Sequence, residues 1–275
     1  MTDPLRPREL LILSMPRTGT SYLCDCLGTL PGVLIAREIF NARGYGPLLK
    51  LGDASERFAA ILGRQIEGLD DAGLHQYFID HPVEGIETLL DAAAAQQARL
   101  MVYKVIQHQL EPAKLLDILT QRRPDVLLLV RHRLDIWISI IKALAVGKWH
   151  HRDTSAVEVA VNVEQFLGWA NHSDGWYAEA LALTEQHGLA VRVLDYDRDV
   201  AKPLTELQRS ARQMLDDLGI HLADGLGARM PIRERQDAAT DPFAKITNGE
   251  EVRAALAERG QLDYALSSPL IANPG

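Results

Sequence analysis

Residues 9–22 read Glu-Leu-Leu-Ile-Leu-Ser-Met-Pro-Arg-Thr-Gly-Thr-Ser-Tyr, a short apolar run that breaks into small polar residues. Tyr22, Leu23, Cys26, Leu27 and Leu30 then recur at helical spacing. The unit reads as strand, loop, helix. Such a loop aims backbone N–H groups and the positive end of a helix dipole at one point, which suits a phosphate. Against the nucleoside-triphosphatase pattern GxxxxGK(S/T), Gly19 and Ser21 are kept. Ser14, however, stands where the first Gly belongs, and Thr20 replaces the Lys. Arg17 is the loop's one cation. The loop is therefore read as a phosphate cradle for something other than ATP or GTP.

A second stretch carries the argument outward. Residues 125–142 read Asp-Val-Leu-Leu-Leu-Val-Arg-His-Arg-Leu-Asp-Ile-Trp-Ile-Ser-Ile-Ile-Lys. The continuous apolar run Val126–Val130 fits a strand buried on both faces of a parallel sheet. It ends in Arg131, and a helix is expected to begin near Asp135, an N-cap or first-turn acid. A triphosphatase places a magnesium-binding Asp after such a strand. A cation in that position suggests a site that holds an anion without metal.

Along the chain, strands are expected at Leu10–Ser14, Leu100–Ile106, Val126–Val130 and Ala190–Leu194, with a short mixed segment at Leu34–Asn41. Helices are expected through about Ala98 and at Pro112–Gln121, Asp135–Val146, Ala156–Ala170, Trp176–His187, Leu204–Leu218 and Glu250–Glu258. Asp153-Thr154-Ser155 would cap the first helix of the Ala156–His187 stretch. Strands separated by helices predict an α/β fold of three layers, a P-loop-like central parallel sheet flanked by helices. Ligands of such sheets bind at the carboxyl ends of the strands, where both phosphate motifs fall.

Pro16-Arg17-Thr18-Gly19-Thr20-Ser21 resembles the 5′-phosphosulfate loop of sulfotransferases that use 3′-phosphoadenosine 5′-phosphosulfate (PAPS). The spacing of eight from Arg131 to Ser139 is similar to that family's 3′-phosphate motif. The resemblance implies a sulfotransferase that needs PAPS as co-substrate and no metal. Arg17, Thr18, Gly19, Thr20, Ser21, Arg131 and Ser139 would bind it. Ala36-Arg37-Glu38-Ile39-Phe40-Asn41 lies where the bacterial carbohydrate branch, of the trehalose 2-sulfotransferase type, carries a Glu followed by an aromatic. That likeness makes Glu38 the general base, with a solvated acid paired to Arg37 as the plainer reading. Arg17 would neutralise the departing phosphate.

Tyr103-Lys104-Val105-Ile106-Gln107-His108 ends a strand at the same edge. Family members often carry a Lys there, and in the cytosolic branch a catalytic His follows two residues later. In this chain that position is Ile106, so His108 is an offset candidate base or a wall of the acceptor pocket. Lys104 reads either as a site residue or as an alkyl-packed strand residue with its head in water. Lys245-Ile-Thr-Asn-Gly-Glu-Glu-Val252 is similar to a segment of the carbohydrate branch that closes over the nucleotide. It also reads as a helix start capped by Thr247 or Asn248. Val193-Leu-Asp-Tyr-Asp197 resembles the family's Tyr-Glu-Asp after a late strand, a structural element. The competing classes are a P-loop kinase or nucleotide-binding protein, and an inactive PAP-binding relative that keeps every nucleotide residue.

A chain of 275 residues with 47% hydrophobic and 24% charged residues is ordinary for a soluble protein and long enough for one large core. Residues 1–275 are read as a single domain, with 41–98 and 147–188 as helical elements of the acceptor pocket, Trp149, His150, His151 and Trp169 being available walls. A net charge of −8 argues against nucleic acid and anionic membranes as partners. Cys24 and Cys26 are too close on a helix for an easy disulfide and lack a zinc-site context. With no hydrophobic signal core and no run long enough to cross a bilayer, a cytoplasmic setting is expected. The small-molecule partner is a hydroxyl acceptor, a carbohydrate through the resemblance, and relatives form homodimers.

Overall fold

The apolar runs of the sequence become the middle of a parallel sheet in the computed structural model, which describes residues 6–41, 54–66, 71–147, 156–225, 227 and 241–271. In chain order the elements are β1 (Arg8–Ser14), α1 (Thr20–Leu27), β2 (Val33–Arg37), α2 (Ala54–Leu62), α3 (Ala72–Asp80), α4 (Pro82–Ala95) and β3 (Leu100–Ile106). They continue with α5 (Pro112–Asp117), β4 (Asp125–Val130), α6 (Arg133–Val146), α7 (Val163–Gln186), β5 (Val191–Asp195), α8 (Leu204–Asp217), α9 (Gly249–Glu258) and α10 (Leu262–Ala265). All five strands run parallel in the order β2-β3-β1-β4-β5.

Period-two alternation divides the sheet between two apolar layers. Leu11, Leu13, Tyr103, Val105, Leu128 and Val130 face α2 to α5 and α7, where Phe58, Phe78, Leu89 and Tyr177 are buried. Leu10, Ile12, Val102, Leu127 and Leu129 face α1 and α8 through Leu23, Leu27, Leu207 and Leu215. The three-layer α/β fold is thus the one the sequence predicts. A third cluster joins Leu134 and Ile138 of α6 and Phe166 and Ala170 of α7 to Phe243, Val252 and Leu256 of the tail. Both cysteines are free and buried. No described helix is long and apolar enough to cross a membrane.

Three expectations need correction. Leu34–Asn41 contains a true edge strand, β2, whose pairing with β3 slips between Ile35 and Arg37. The helix at Pro112–Gln121 ends at Asp117 and widens into a turn of π-helix over Ile118–Arg122. Of the separate helices expected at Ala156–Ala170 and Trp176–His187, residues 156–162 are not helical and the rest form one helix, α7, capped by Asn162 accepting from the Gln165 N–H at 3.0 Å. Asn171-His-Ser-Asp-Gly175 looks like a break by propensity. Tertiary bonds override it: Asp174 accepts from Arg133 Nε at 2.9 Å and Tyr264 Oη at 2.8 Å. The Asp153-Thr154-Ser155 cluster, Trp149, His150 and His151 lie outside the described residues.

Chain order reverses across β1: β2 and β3 lie on one side, β4 and β5 on the other. The crevice of such a sheet opens outside the carboxyl end of β1. Its floor is tied by Tyr177 of α7. The buried hydroxyl donates to the Leu129 carbonyl at 2.7 Å and accepts from the Met15 N–H at 2.9 Å. Burial pushes the phenol's pKa up, so it stays a donor. Tyr177→Phe removes both bonds and leaves two buried backbone groups short of a partner. It should lower unfolding free energy by about 1–3 kcal/mol in urea titration. A loss below a few tenths would show that Tyr177 acts only by packing.

Candidate active site

Five residues separate the end of β1 from the start of α1, and their shape depends on two left-handed residues. Arg17 has φ 69° and Gly19 φ 87°. Any β-carbon at Gly19 would overlap the ring of Tyr196, so only glycine fits. Thr18 is fully buried and spends its hydroxyl on the Met15 carbonyl at 2.9 Å, closing the turn. Its hydroxyl therefore serves the loop, and its backbone is the part left for a ligand. Thr20 and Ser21 occupy the first turn of α1, where amides lack intrahelical acceptors.

Two guanidinium groups converge on this turn. Arg17 Nε donates to Ser139 Oγ of α6 at 2.9 Å. Arg131 donates to the Arg17 carbonyl at 3.3 Å and lies 4.6 Å over the ring centre of Tyr196. Burial and the neighbouring Arg131 both lower the Arg17 pKa, which makes an anion welcome there. Arg131 Nε is buried with no hydrogen-bond partner among the described residues. Arg17, Ser139 and Arg131, 122 positions apart at the extremes, thus share one corner of the sheet.

The cation that the loop lacks comes from the adjacent strand. Lys104 of β3, only 2% exposed, reaches Thr20 Oγ1 and Ser21 Oγ at 3.1 Å each and pairs with Glu38 Oε1 at 2.9 Å. Its head is in the site, not in water. Glu38 Oε2 accepts from Asn41 Nδ2 at 2.8 Å and Gln109 Nε2 at 2.9 Å. Burial by itself raises the carboxyl's pKa; the Lys104 charge and these donors outweigh it and hold Glu38 at about 2. The alternative of a solvated Glu38 paired to Arg37 is overturned, because Arg37 pairs with buried Asp25 of α1 at 2.6 Å.

His108 stands apart from this group. Its exposed ring stacks on His172 of α7, centroids 5.8 Å apart, and it makes no hydrogen bond or ion pair with the loop among the described residues. Gln109, its neighbour, makes the contact with Glu38 instead. Trp169 packs on Trp137 at 5.4 Å, as a core residue would.

The tail reaches the corner from outside. Asn248 exchanges two 3.0 Å bonds with the Val161 backbone, and Lys245 pairs with buried Asp135 at 2.5 Å. Asp135, a first-turn acid of α6, also lies 3.7 Å from Arg131. Burial raises its pKa, but His132, Arg131 and Lys245 together hold it well below the usual carboxylate range. His132, Asp135 and Asp197 place ligand atoms within 4.8 Å of one another. Two cations, Arg131 and Lys245, already lie against the Asp135 member of that group. Sequence reasoning gave no role to Asn41, Gln109 or Asp25 and missed the Tyr196–Gly19 contact, although Asn41, Gln109 and Tyr196 lie in or beside quoted motif segments.

No protein-family model matches the chain, and no curated protein matches it. Among solved structures the chain is similar to a sulfotransferase from Alicyclobacillus acidocaldarius at 14% identity and a TM-score of 0.46, over 94% of this chain and 95% of that one.

Glu38 supplies a pH test of the geometry. Its pKa in the fold, about 2, lies below the ordinary 4.5, so its contribution to stability is complete above that value. It is lost as pH falls toward about 2. Glu38→Gln should therefore flatten the acid limb of stability relative to the wild type, the two curves converging by up to roughly 3 kcal/mol. Parallel curves in denaturant titrations across that range would place Lys104 elsewhere in solution.

Proposed function

We propose that this chain is a sulfotransferase that moves the sulfuryl group of PAPS to a hydroxyl of a small acceptor and releases PAP. One observation carries the reading: Arg17, Ser139 and Arg131, which the sequence resemblance assigns to the two phosphates of the donor, meet at the carboxyl ends of β1 and β4. The donor set fits such a ligand chemically. It consists of guanidinium groups, a strand ammonium, two hydroxyls and a helix N-terminus, with Arg131 Nε still lacking a protein partner. These groups favour an anion of several charges and offer no acidic cage for magnesium.

The donor supplies an activated sulfuryl group on a phosphate leaving group. Arg17 and the amides of Thr18–Ser21 hold that phosphate and stabilise the charge that develops on it. Arg131 and Ser139 take the 3′-phosphate. Glu38 accepts the acceptor's hydroxyl proton as the new O–S bond forms and the bond to the phosphate breaks. The acceptor enters over α2, α3 and α4 and the start of α7, the described parts of 41–98 and 147–188. A carbohydrate is the favoured class, because Glu38 and its neighbours match that branch of the resemblance.

Calorimetric titration separates this from a triphosphate site. PAP should bind without metal, and ATP should bind more weakly with or without magnesium; tight magnesium-dependent ATP binding would reverse the assignment. Arg17→Ala should lower kcat about 10²–10³-fold with a smaller change in the KM for PAPS. Arg131→Ala should instead weaken PAP binding and erase the preference for PAP over adenosine 5′-phosphate. Unchanged affinity there removes Arg131 from the donor site.

A further inference from the structure

An ammonium has three protons to donate, and Lys104 has placed all three. Its partners are Glu38 Oε1 at 2.9 Å, Thr20 Oγ1 at 3.1 Å and Ser21 Oγ at 3.1 Å. Two of them belong to the first turn of α1, where an anion would sit. The third is the candidate base. Lys104 is 2% exposed, so no water shell stands ready to replace a lost partner. An anion at the Thr20 and Ser21 amides must draw on the same ammonium that neutralises Glu38.

The carboxylate is arranged to survive such a loss. Its other oxygen accepts from the neutral amides of Asn41 and Gln109, which hold it in position without supplying charge. The remaining charges around it are balanced among themselves: Arg37 of β2 pairs with Asp25 of α1 at 2.6 Å. Cys24 of α1 is buried with its pKa raised, first by burial, so it stays a neutral thiol. His75 of α3 is committed through Nδ1 to the Ile39 carbonyl at 2.9 Å. Lys104 is therefore the one cation bonded directly to the Glu38 carboxylate among the described residues.

We propose that Lys104 is a shared counterion: an anion entering the loop draws the ammonium off Glu38, so that the carboxylate becomes a working base only when the cradle is filled. The part played by the base rests on the sulfotransferase reading, whereas the exchange of Lys104 between carboxylate and anion does not. In the empty site Glu38 is tied to its cation and holds a proton poorly. Once Lys104 turns to the anion, Glu38 is left buried beside negative charge, and both effects favour its protonated form. Removal of the acceptor's proton then waits on the donor. Linkage makes the coupling reciprocal: removing the Glu38 charge must tighten anion binding by the factor by which anion binding favours its protonation.

The test is calorimetric titration of PAP and, separately, of inorganic sulfate, a dianion, at pH 7.5. Wild type, Glu38→Gln, Lys104→Met and the double variant are compared. Glu38→Gln should bind both anions about tenfold more tightly at neutral pH, because Lys104 is released to them. In the Lys104→Met background the gain from Glu38→Gln should shrink to a small residue, giving a clear coupling in the double-mutant cycle. Equal sulfate affinity for wild type and Glu38→Gln, or an undiminished gain without Lys104, overturns the shared counterion. If PAP fails to bind while sulfate shows the coupling, the donor assignment falls and the counterion exchange stands. If neither anion binds any variant, both fall. Should Glu38→Gln fail to fold, Glu38→Ala, which leaves no acceptor for Lys104, carries the same expected gain.

Discussion

The constraint on which everything else depends is that β1, β3 and β4 are buried on both faces. Strands of that kind have no solvent side on which to carry polar side chains. Polar chemistry is displaced to their carboxyl ends, where the loops leave the sheet. Ser14, Lys104, Gln107 and Arg131 all stand at or near such ends. Tyr177 then fixes the ends of β1 and β4 to one helix through a single hydroxyl. The site is precise because the rigid part of the molecule ends there.

Charge at this edge is organised against the balance of the whole chain, which is −8. Arg17, Arg131 and Lys104 gather around one turn. Among the described residues, the Glu38 carboxylate meets Lys104 and the Asp135 carboxylate lies beside Arg131. Each of these acids is held below its ordinary range although burial pushes the other way, so in both cases the cations decide. Asp135 is the more heavily tied, since Lys245 reaches it from the tail at 2.5 Å. The tail thereby bears on Arg131 through Asp135. A buried ion pair of that kind is weak evidence of stability, and its effect here is to fix where Arg131 can point.

The fold was legible because its signal is local. Continuous apolar runs mark two-faced strands, and β1, β3, β4 and β5 fall within a residue or two of where the sequence puts them. The convergence of Arg17 with Arg131 and Ser139 was legible through the resemblance to the two phosphate motifs of sulfotransferases, with both motifs falling after strands. What the sequence hid is pairing. Nothing in Arg37-Glu38 says that the arginine turns to Asp25 and the acid to Lys104, because that choice is made where the chain leaves β2, with Arg37 directed at α1 and Glu38 at the end of β3. The single long α7 was hidden for a related reason: residues 171–175 are poor helix formers, and the bonds from Arg133 and Tyr264 that hold them come from distant parts of the chain. His108 is followed by Gln109, and it is Gln109 that contacts Glu38.

Three non-glycine residues at this edge adopt left-handed backbone: Arg17 at φ 69°, Arg37 at φ 55° and His108 at φ 71°, following or ending β1, β2 and β3 in turn. Each conformation costs about 1–2 kcal/mol for a residue with a side chain. Each is held by a partner of that side chain: Ser139 for Arg17, Asp25 for Arg37, the His172 ring for His108. In every case the next residue makes the contact that builds the site. Thr18 closes the loop on Met15, Glu38 meets Lys104, and Gln109 holds Glu38. The left-handed residue bends the chain off the sheet, and its successor is delivered into the cleft. Strain repeated at three neighbouring strand ends, each with its own tie, is hard to explain by packing alone, because a glycine at each position would relieve it. It sets the Lys104 ammonium, the Glu38 carboxylate and the β1–α1 loop within hydrogen-bond distance of one another.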